Sequence, residues 1–382
     1  MTERKTGYVY SHHILKYRFS DSHPFNQMRL KLTTELLTMG RYLDAQQIVK
    51  PRVATDEELG LIHHFDYIEA IRHASHGILN KDEAQKYGLD EDETPPFRHM
   101  HQHAARIVGG GLNLADAIMD GTYQNGCHLG GGLHHGLPGR ANGFCVYNDV
   151  AVTIKYLTEK YNQRVLYIDT DAHHGDGVQW AFYTDTNVLN YSIHETGKFL
   201  FPGSGSYTER GQEHGYGYTI NIPLEPYTED ASFLQTFKDT IVPVIKDFKP
   251  DIIVSVHGAD IHCLDPLTHL HCTLDTLYEI PYFIKSLADD YTNGKVIMFG
   301  GGGYNIWDVV PRAWSHVFFA LNGNPKAHGP LPERWVKKWQ HYAQGPIPHA
   351  WEEDKTDYMT IPRVDDINAR NAELAQRIIE RY

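Results

Sequence analysis

A three-layer α/β/α protein with a mostly parallel central sheet is predicted by three observations. Short apolar runs at 165–168, 188–193, 252–256 and 296–299 alternate with longer helical stretches. Several of these runs end abruptly in Asp, His and Gly. No repeat of 20–50 residues and no low-complexity linker divides the chain. Alternating strands and helices favour a parallel sheet covered on both faces, and ligands of such sheets gather beyond the carboxyl ends of the strands.

Residues 8–10 read as a first strand, followed by a loop that reaches Arg29. Residues 26–39 have the pattern of an amphipathic helix. Thr55 and Asp56 resemble a helix entry with its cap, and helices are expected over 56–61 and 65–76. Residues 88–97 form an acidic stretch whose Pro95 and Pro96 oppose regular structure; composition favours a solvated charged loop. Residues 99–119 read as a long helix despite Gly109, Gly110 and Gly111, each of which costs about 1 kcal/mol relative to Ala. Close backbone packing against a neighbour would offset that cost. Residues 129–136 make a glycine-rich turn bearing His134 and His135. It is no phosphate loop, because the GxGxxG spacing and a following Lys-Ser/Thr are missing. A helix then runs to about Tyr161, with strands at 165–168, 188–193, 218–222, 252–256 and 296–299. Helices are expected over 230–248 and 273–288. Beyond Lys326 the pattern weakens, and Trp335, Trp339 and Trp351 suggest an extension packed on the body. The expected organisation is one domain over 1–325 and an extension over 326–382.

The 382 residues would allow two or three domains at about 150 residues each, but α/β enzymes often exceed that as one unit. No apolar run approaches the roughly 18 residues of a membrane span. The first residues lack a signal-peptide core, so a cytoplasmic location is expected. Cys127, Cys145, Cys263 and Cys272 show no CxxC pairing and read as small buried residues. A net charge of −13 without a Lys/Arg cluster disfavours nucleic acid. Of the 25 histidines, most, including His12, His13, His63 and His64, have no metal-ligand context and read as surface or helix residues.

The run from Asp169 to Gly177 holds three Asp, two His and two Gly within nine residues. Turn chemistry alone rarely needs that density. In an extended chain Asp169, Asp171 and His173 share a face, which suits a cation site, a proton relay or both. Asp171, His173 and Asp260 would supply two oxygens and a nitrogen with a position left open, a catalytic arrangement. Zinc suits it, and the carboxylates also suit Fe(II). Asp169 and Asp176 then remain to orient His134 and His135, one imidazole taking a proton from water and the other serving the leaving group. Tyr304, after four glycines, could donate to an oxyanion. No Ser or Cys elbow competes, Cys145 being the nearest candidate. Together these groups point to hydrolysis of an amide-like carbonyl.

Gly131-Gly132-Leu133-His134-His135, Gly143 to Asp149, Asp169 to Gly177, Gly258-Ala259-Asp260 and Gly300 to Asn305 resemble the histone deacetylase family, in its order and over roughly residues 8–322. His23 to Arg29 and Leu129 to Gly136 look closest to its bacterial acetoin-utilization branch. The resemblance implies an arginase/deacetylase fold and removal of acetyl groups from lysine side chains of proteins. It assigns Asp171, His173 and Asp260 to zinc, and His134 and His135, backed by Asp169 and Asp176, to catalysis with Tyr304. Phe144 and Phe201 would flank a tunnel, Gly143 would offer its carbonyl to the substrate amide, and Leu267 would shape the rim. Arg29 would stand behind the acetyl group. The family also implies structural potassium near Asp169, Asp171, His173 and Ser192, and near Phe182, Asp185, Val188 and Tyr218. Acetyl-CoA synthetase is the partner substrate it suggests.

Two departures stand out. Where relatives clamp the substrate backbone with an Asp two residues before Pro, this chain has Glu93, with Asp92 beside it. After Asp260 it reads Ile261-His262-Cys263-Leu264-Asp265-Pro266 in place of small polar residues. Competing readings are a deacetylase of small acetylated amines such as polyamines, a two-manganese ureohydrolase, which would leave Tyr304 idle, and a silent acetyl-lysine binder, which would have lost some of these residues.

Overall fold

The computed structural model describes residues 5–90 and 93–381. The strands are β1 (Lys5–Val9), β2 (Ile48–Val49), β3 (Tyr123–His128), β4 (Val165–Asp169), β5 (Val188–Glu195), β6 (Thr219–Leu224), β7 (Ile252–Val256) and β8 (Val296–Phe299). They form one sheet in the order β2-β1-β3-β8-β7-β4-β5-β6, with every pairing parallel. The helices are α1 (Met28–Met39), α2 (Asp56–Leu59), α3 (Phe65–Ser75), α4 (Lys81–Lys86), α5 (Met100–Met119), α6 (Asp149–Tyr161), α7 (Asp176–Ala181), α8 (Asp230–Phe248), α9 (Leu274–Tyr291), α10 (Val309–Asn322), α11 (Glu333–Trp339) and α12 (Val364–Arg381). Parallel strands need crossovers: α6 links β3 to β4, α8 links β6 to β7, and α9 links the neighbours β7 and β8. Packing of α5 on α6 makes one layer, and α8, α9 and α10 the other. This is the three-layer α/β/α architecture of the arginase/deacetylase fold.

Register decides where the polar residues emerge. Asp169 lies opposite Ser192 on one side and Val256 on the other. Val256 lies opposite Phe299, and Phe299 opposite His128. The segments after residues 128, 169, 256 and 299 therefore leave the sheet at one edge, side by side. Strands β4, β7 and β8 are fully buried, as expected for strands covered on both faces.

The three mid-helix glycines of α5 mark close packing. A Cβ at Gly109 would overlap the Arg52 carbonyl, and at Gly111 the Thr153 hydroxyl. Strand β3 is absent from the sequence reading, since Tyr-Gln-Asn-Gly-Cys-His has little β-strand pattern. Its place between β1 and β8 makes it a strand. Helix α1 is amphipathic as expected: it buries Arg29, Leu30, Leu32, Thr33, Leu36 and Leu37 and turns Lys31, Glu35 and Thr38 outward. His63 is a further correction. It is buried, linked to the Leu137 carbonyl through Nδ1 (3.1 Å), and accepts the Asn148 N–H at Nε2 (3.0 Å).

Beyond residue 326, Trp335 donates its indole N–H to the Leu32 carbonyl in α1 (3.0 Å), and Trp351 is buried. Helix α12, which the weakened pattern beyond Lys326 did not reveal, packs on α8. Its buried Asn371 donates to Thr228 and Ser232 and accepts the Glu225 N–H. Cys127, Cys145 and Cys272 are buried, and Cys263 is half-buried. No helix among the described residues is long and apolar enough to cross a membrane.

Candidate active site

Asp171, His173 and Asp260 converge where β4 and β7 end. One donor atom from each lies within 4.8 Å of the others. The Nδ1 of His173 sits 3.1 Å from Asp171 Oδ1 and 2.9 Å from Asp260 Oδ2. Glycines make room for this. A Cβ at Gly258 would stand 2.5 Å from carboxylate oxygens of both Asp171 and Asp260, and one at Gly302 would overlap Asp260. Backbone N–H groups of Gly302 and His173 hold Asp171, and that of Ala172 holds Asp260. Burial opposes ionising both carboxyls. His134 and His173 nevertheless hold Asp171 well below the usual range, while burial and Asp171 together push Asp260 up to about 6. Two buried carboxylates facing one imidazole nitrogen are costly without a cation. The donor set therefore fits a divalent metal.

The glycine-rich turn after β3 brings the paired histidines alongside. His134 donates Nδ1–H to Asp169 (2.7 Å), which also accepts the Tyr167 hydroxyl (2.6 Å). His135 donates Nδ1–H to Asp176 (2.7 Å), at the start of α7, and Asn142 donates to the other oxygen of Asp176 (3.0 Å). The rings lie 4.1 Å apart. Burial works against protonating His134, yet Asp169, Asp171 and Asp176 outweigh it and push the imidazole up to about 9. His135 is lowered, by burial and then by its charged neighbour His134.

A cavity of about 210 Å³ reaches this centre, lined by Glu93, His135, Gly143, Phe144, His173, Leu200, Phe201, Leu267 and Tyr304. Phe201 stands edge-on to His135 at 5.0 Å, and Phe144 edge-on to Tyr304 at 6.1 Å. Gly143 and Phe144 both take positive φ, 51° and 68°. Arg29 is buried behind, donating to the Gly303 carbonyl (3.0 Å), with its guanidinium over Phe25 and Trp314. Burial lowers its pKa. Asp92 lies outside the described residues. Ser192 faces Asp169 across β4 and β5, and its hydroxyl bonds His194 (2.8 Å). Phe182, Asp185 and Val188 lead from α7 into β5, near Tyr218, whose carbonyl accepts the Asn190 N–H.

Comparison with known proteins agrees with this geometry. The histone deacetylase domain model matches residues 23–321. The acetoin utilization protein AcuC of Staphylococcus xylosus is 69% identical over 99% of this chain and 98% of its own. The chain belongs to the histone deacetylase family, in its acetoin-utilization branch. The AcuC protein of Bacillus subtilis is 46% identical over 98% of this chain and 97% of its own. A crystal structure of a histone deacetylase homolog complexed with SAHA covers 96% of this chain and 100% of its own, with a TM-score of 0.83 at 27% identity. The homolog from Aquifex aeolicus superposes equally well, covering 96% of this chain and 100% of its own at 26% identity. This chain is thus a deacetylase-family hydrolase, and the family implies the divalent metal that Asp171, His173 and Asp260 could hold.

Some site residues of this deacetylase were invisible in the sequence. Leu200 lines the tunnel. Asp265 is buried and accepts the backbone N–H groups of Tyr304 (2.8 Å) and Leu267 (3.0 Å), so one carboxylate ties the Tyr304 loop to the tunnel rim. Burial and Asp260 push it up to about 8. Its only sequence signal is its place in the departure after Asp260. Tyr167 was signalled by sharing a strand face with Asp169.

Proposed function

We propose that this deacetylase hydrolyses the amide joining an acetyl group to the side-chain nitrogen of lysine in a protein. The reading rests above all on the narrow cavity lined by Phe144, Phe201 and Leu267, which suits an aliphatic stem and ends at His135, His173 and Tyr304. Asp171, His173 and Asp260 would hold the metal, with zinc the first choice and Fe(II) the second. When bound, such an ion supplies Lewis acidity toward a carbonyl oxygen and acidifies water.

The protein's own groups do the rest. Phe144 and Phe201 grip the methylenes, and the Gly143 carbonyl accepts the substrate amide N–H. The Tyr304 hydroxyl donates to the carbonyl oxygen as negative charge develops there. His134 and His135 move the protons, each held by Asp169 or Asp176 so that its other ring nitrogen is free. His135, which lines the cavity, is the imidazole beside the reacting atoms. Water oxygen bonds the carbonyl carbon, the carbon–nitrogen bond breaks, and a proton from the water ends on the leaving amine. Acetate and lysine are the products. Arg29 stabilises the inner end of the site, and Glu93 binds the substrate backbone at the mouth, with Asp92 as its neighbour.

Potassium bound near Asp169, Asp171, His173 and Ser192, and near Phe182, Asp185, Val188 and Tyr218, would be structural. A domain over 1–325 carries the chemistry and 326–382 extends it. Acetyl-CoA synthetase in the cytoplasm is the proposed protein substrate. The second reading, a deacetylase of acetylated polyamines, is favoured by Glu93, whose carboxyl at the mouth suits a distal ammonium as well as a backbone N–H. Turnover of acetylated acetyl-CoA synthetase and of an acetylated polyamine, by enzyme of measured metal content, separates them. Turnover of the polyamine alone would overturn the protein-lysine reading.

A further inference from the structure

A second opening lies beside the tunnel. It is a groove of about 470 Å³, walled on one side by Phe199 and Tyr227 and on the other by Met359, Ile361 and α12. Two chain segments run from one opening to the other. Phe199 is two residues from the tunnel residue Phe201, so their Cα atoms are within about 7 Å. The tunnel residue Leu267 is two residues from His269, whose carbonyl accepts the Tyr227 N–H (2.8 Å) and whose ring stands 6.2 Å from that of Tyr227.

The groove is apolar where it is open. Among the described residues, thirteen large apolar side chains are exposed, and Phe199, Phe201, Tyr227, Leu267 and Met359 line these two neighbouring openings. Phe199 is 64% exposed and Met359 58%. Such clustering marks a binding surface more than scattered single residues do. The charged residues of the groove are already paired, Arg370 with Glu225 and Arg363 with Asp366. The far wall is anchored, since the Met359 carbonyl is held by His271 (2.9 Å) and Ile361 is buried.

We infer that this groove binds the polypeptide flanking the acyl-lysine, through an apolar side chain about two or three residues from it in sequence. The inference rests on the lysine-deacetylase reading and narrows it to protein substrates with a hydrophobic neighbour. The occupant follows from continuity. A lysine whose side chain fills the tunnel leaves its backbone at Phe201 and Leu267, and those two segments lead on to Phe199, Tyr227 and Met359.

The test uses the full chain, loaded with zinc, and three substrates. One is a capped acetyl-lysine amide, the second an acetyl-lysine peptide flanked by alanines, and the third a set of the same peptide carrying one Phe at each position from −3 to +3. The parent is expected to favour one Phe position by about tenfold in kcat/KM, chiefly through KM. Phe199→Ala and Met359→Ala should each reduce that preference, and the double variant should abolish it, with turnover of the capped amide unchanged. Equal preference for every peptide would overturn the inference while leaving deacetylation intact. So would a preference that survives the double variant, or self-association that Phe199→Ala abolishes. No turnover of the capped amide or of any peptide would sink the lysine reading, and this inference with it.

Discussion

The Nε2 of His262 lies 2.8 Å from the Glu353 carboxylate, with both side chains closed off from water. His262 is two residues past Asp260, and Glu353 belongs to the C-terminal extension. The same carboxylate accepts the Leu274 N–H (2.7 Å) and the Tyr358 hydroxyl (2.9 Å). The extension is thereby fastened to the loop that carries a candidate metal ligand.

Glu353→Gln is expected to destabilise the fold by about 3 kcal/mol at pH 7, because it removes a carboxylate that is bonded to His262, the Leu274 N–H and the Tyr358 hydroxyl. Burial alone would raise the Glu353 carboxyl, but the bond to His262 and the other donors hold it at about 2. A carboxyl lowered on folding contributes stability above its unfolded value of about 4.5 and loses it as pH falls toward 2. Urea denaturation of parent and variant should therefore differ at pH 7 and draw together as pH falls from about 4.5 toward 2. A constant difference down to pH 3 would contradict this.

Acid should weaken the fold for a second reason. Burial holds the imidazoles of His63, His128 and His316 down at about 4. Between the unfolded value near 6.5 and about 4, the unfolded chain takes up protons that the folded chain refuses. Stability is then complete above pH 6.5 and falls on acidification by about 1.4 kcal/mol per pH unit for each imidazole. The urea midpoint should drop steeply from pH 6.5 to 5, and a flat profile there is the outcome that excludes it.

Gly302→Ala should empty the candidate metal site without unfolding the chain. The new Cβ would meet the Asp260 carboxylate. Bound metal, measured by atomic emission after dialysis, should fall at least about tenfold while circular dichroism is unchanged. Full metal content would show that the three donors are not the ligands.

Tyr304→Phe should keep its metal and lose deacetylation by about a hundredfold or more in kcat, as expected when one oxyanion donor is removed. Near-parental turnover of an acetyl-lysine peptide would sink the role given to the phenol.

Asp265→Ala should lower kcat about tenfold with KM and metal content little changed, since the carboxylate holds the Tyr304 backbone rather than the substrate. Asp265→Asn, which keeps an acceptor oxygen, should recover part of the rate. Equal losses in both variants, with a lowered melting temperature, would mark a purely structural residue.

Much of this molecule was legible along the chain because its signals are local. Apolar runs of strand length followed at once by Asp, His and Gly mark strand ends, and period-two spacing places Asp169, Asp171 and His173 on one side of the backbone. The strand-helix alternation implies the parallel sheet. Tertiary structure decided what depends on neighbours distant in sequence. Asp169 and Asp171 are chemically alike, yet Asp169 receives His134 from the turn after β3, while the Asp171–His173 pair receives Asp260 from the end of β7, because sheet register sets which segment arrives beside each. Burial made His63 a core residue, and partners on both sides made a strand of the polar stretch at 123–128. The His262–Glu353 bond joins positions 91 residues apart. Local residues specify an element's geometry and chemistry, whereas a side chain's partner and exposure are set only when separate elements are packed together.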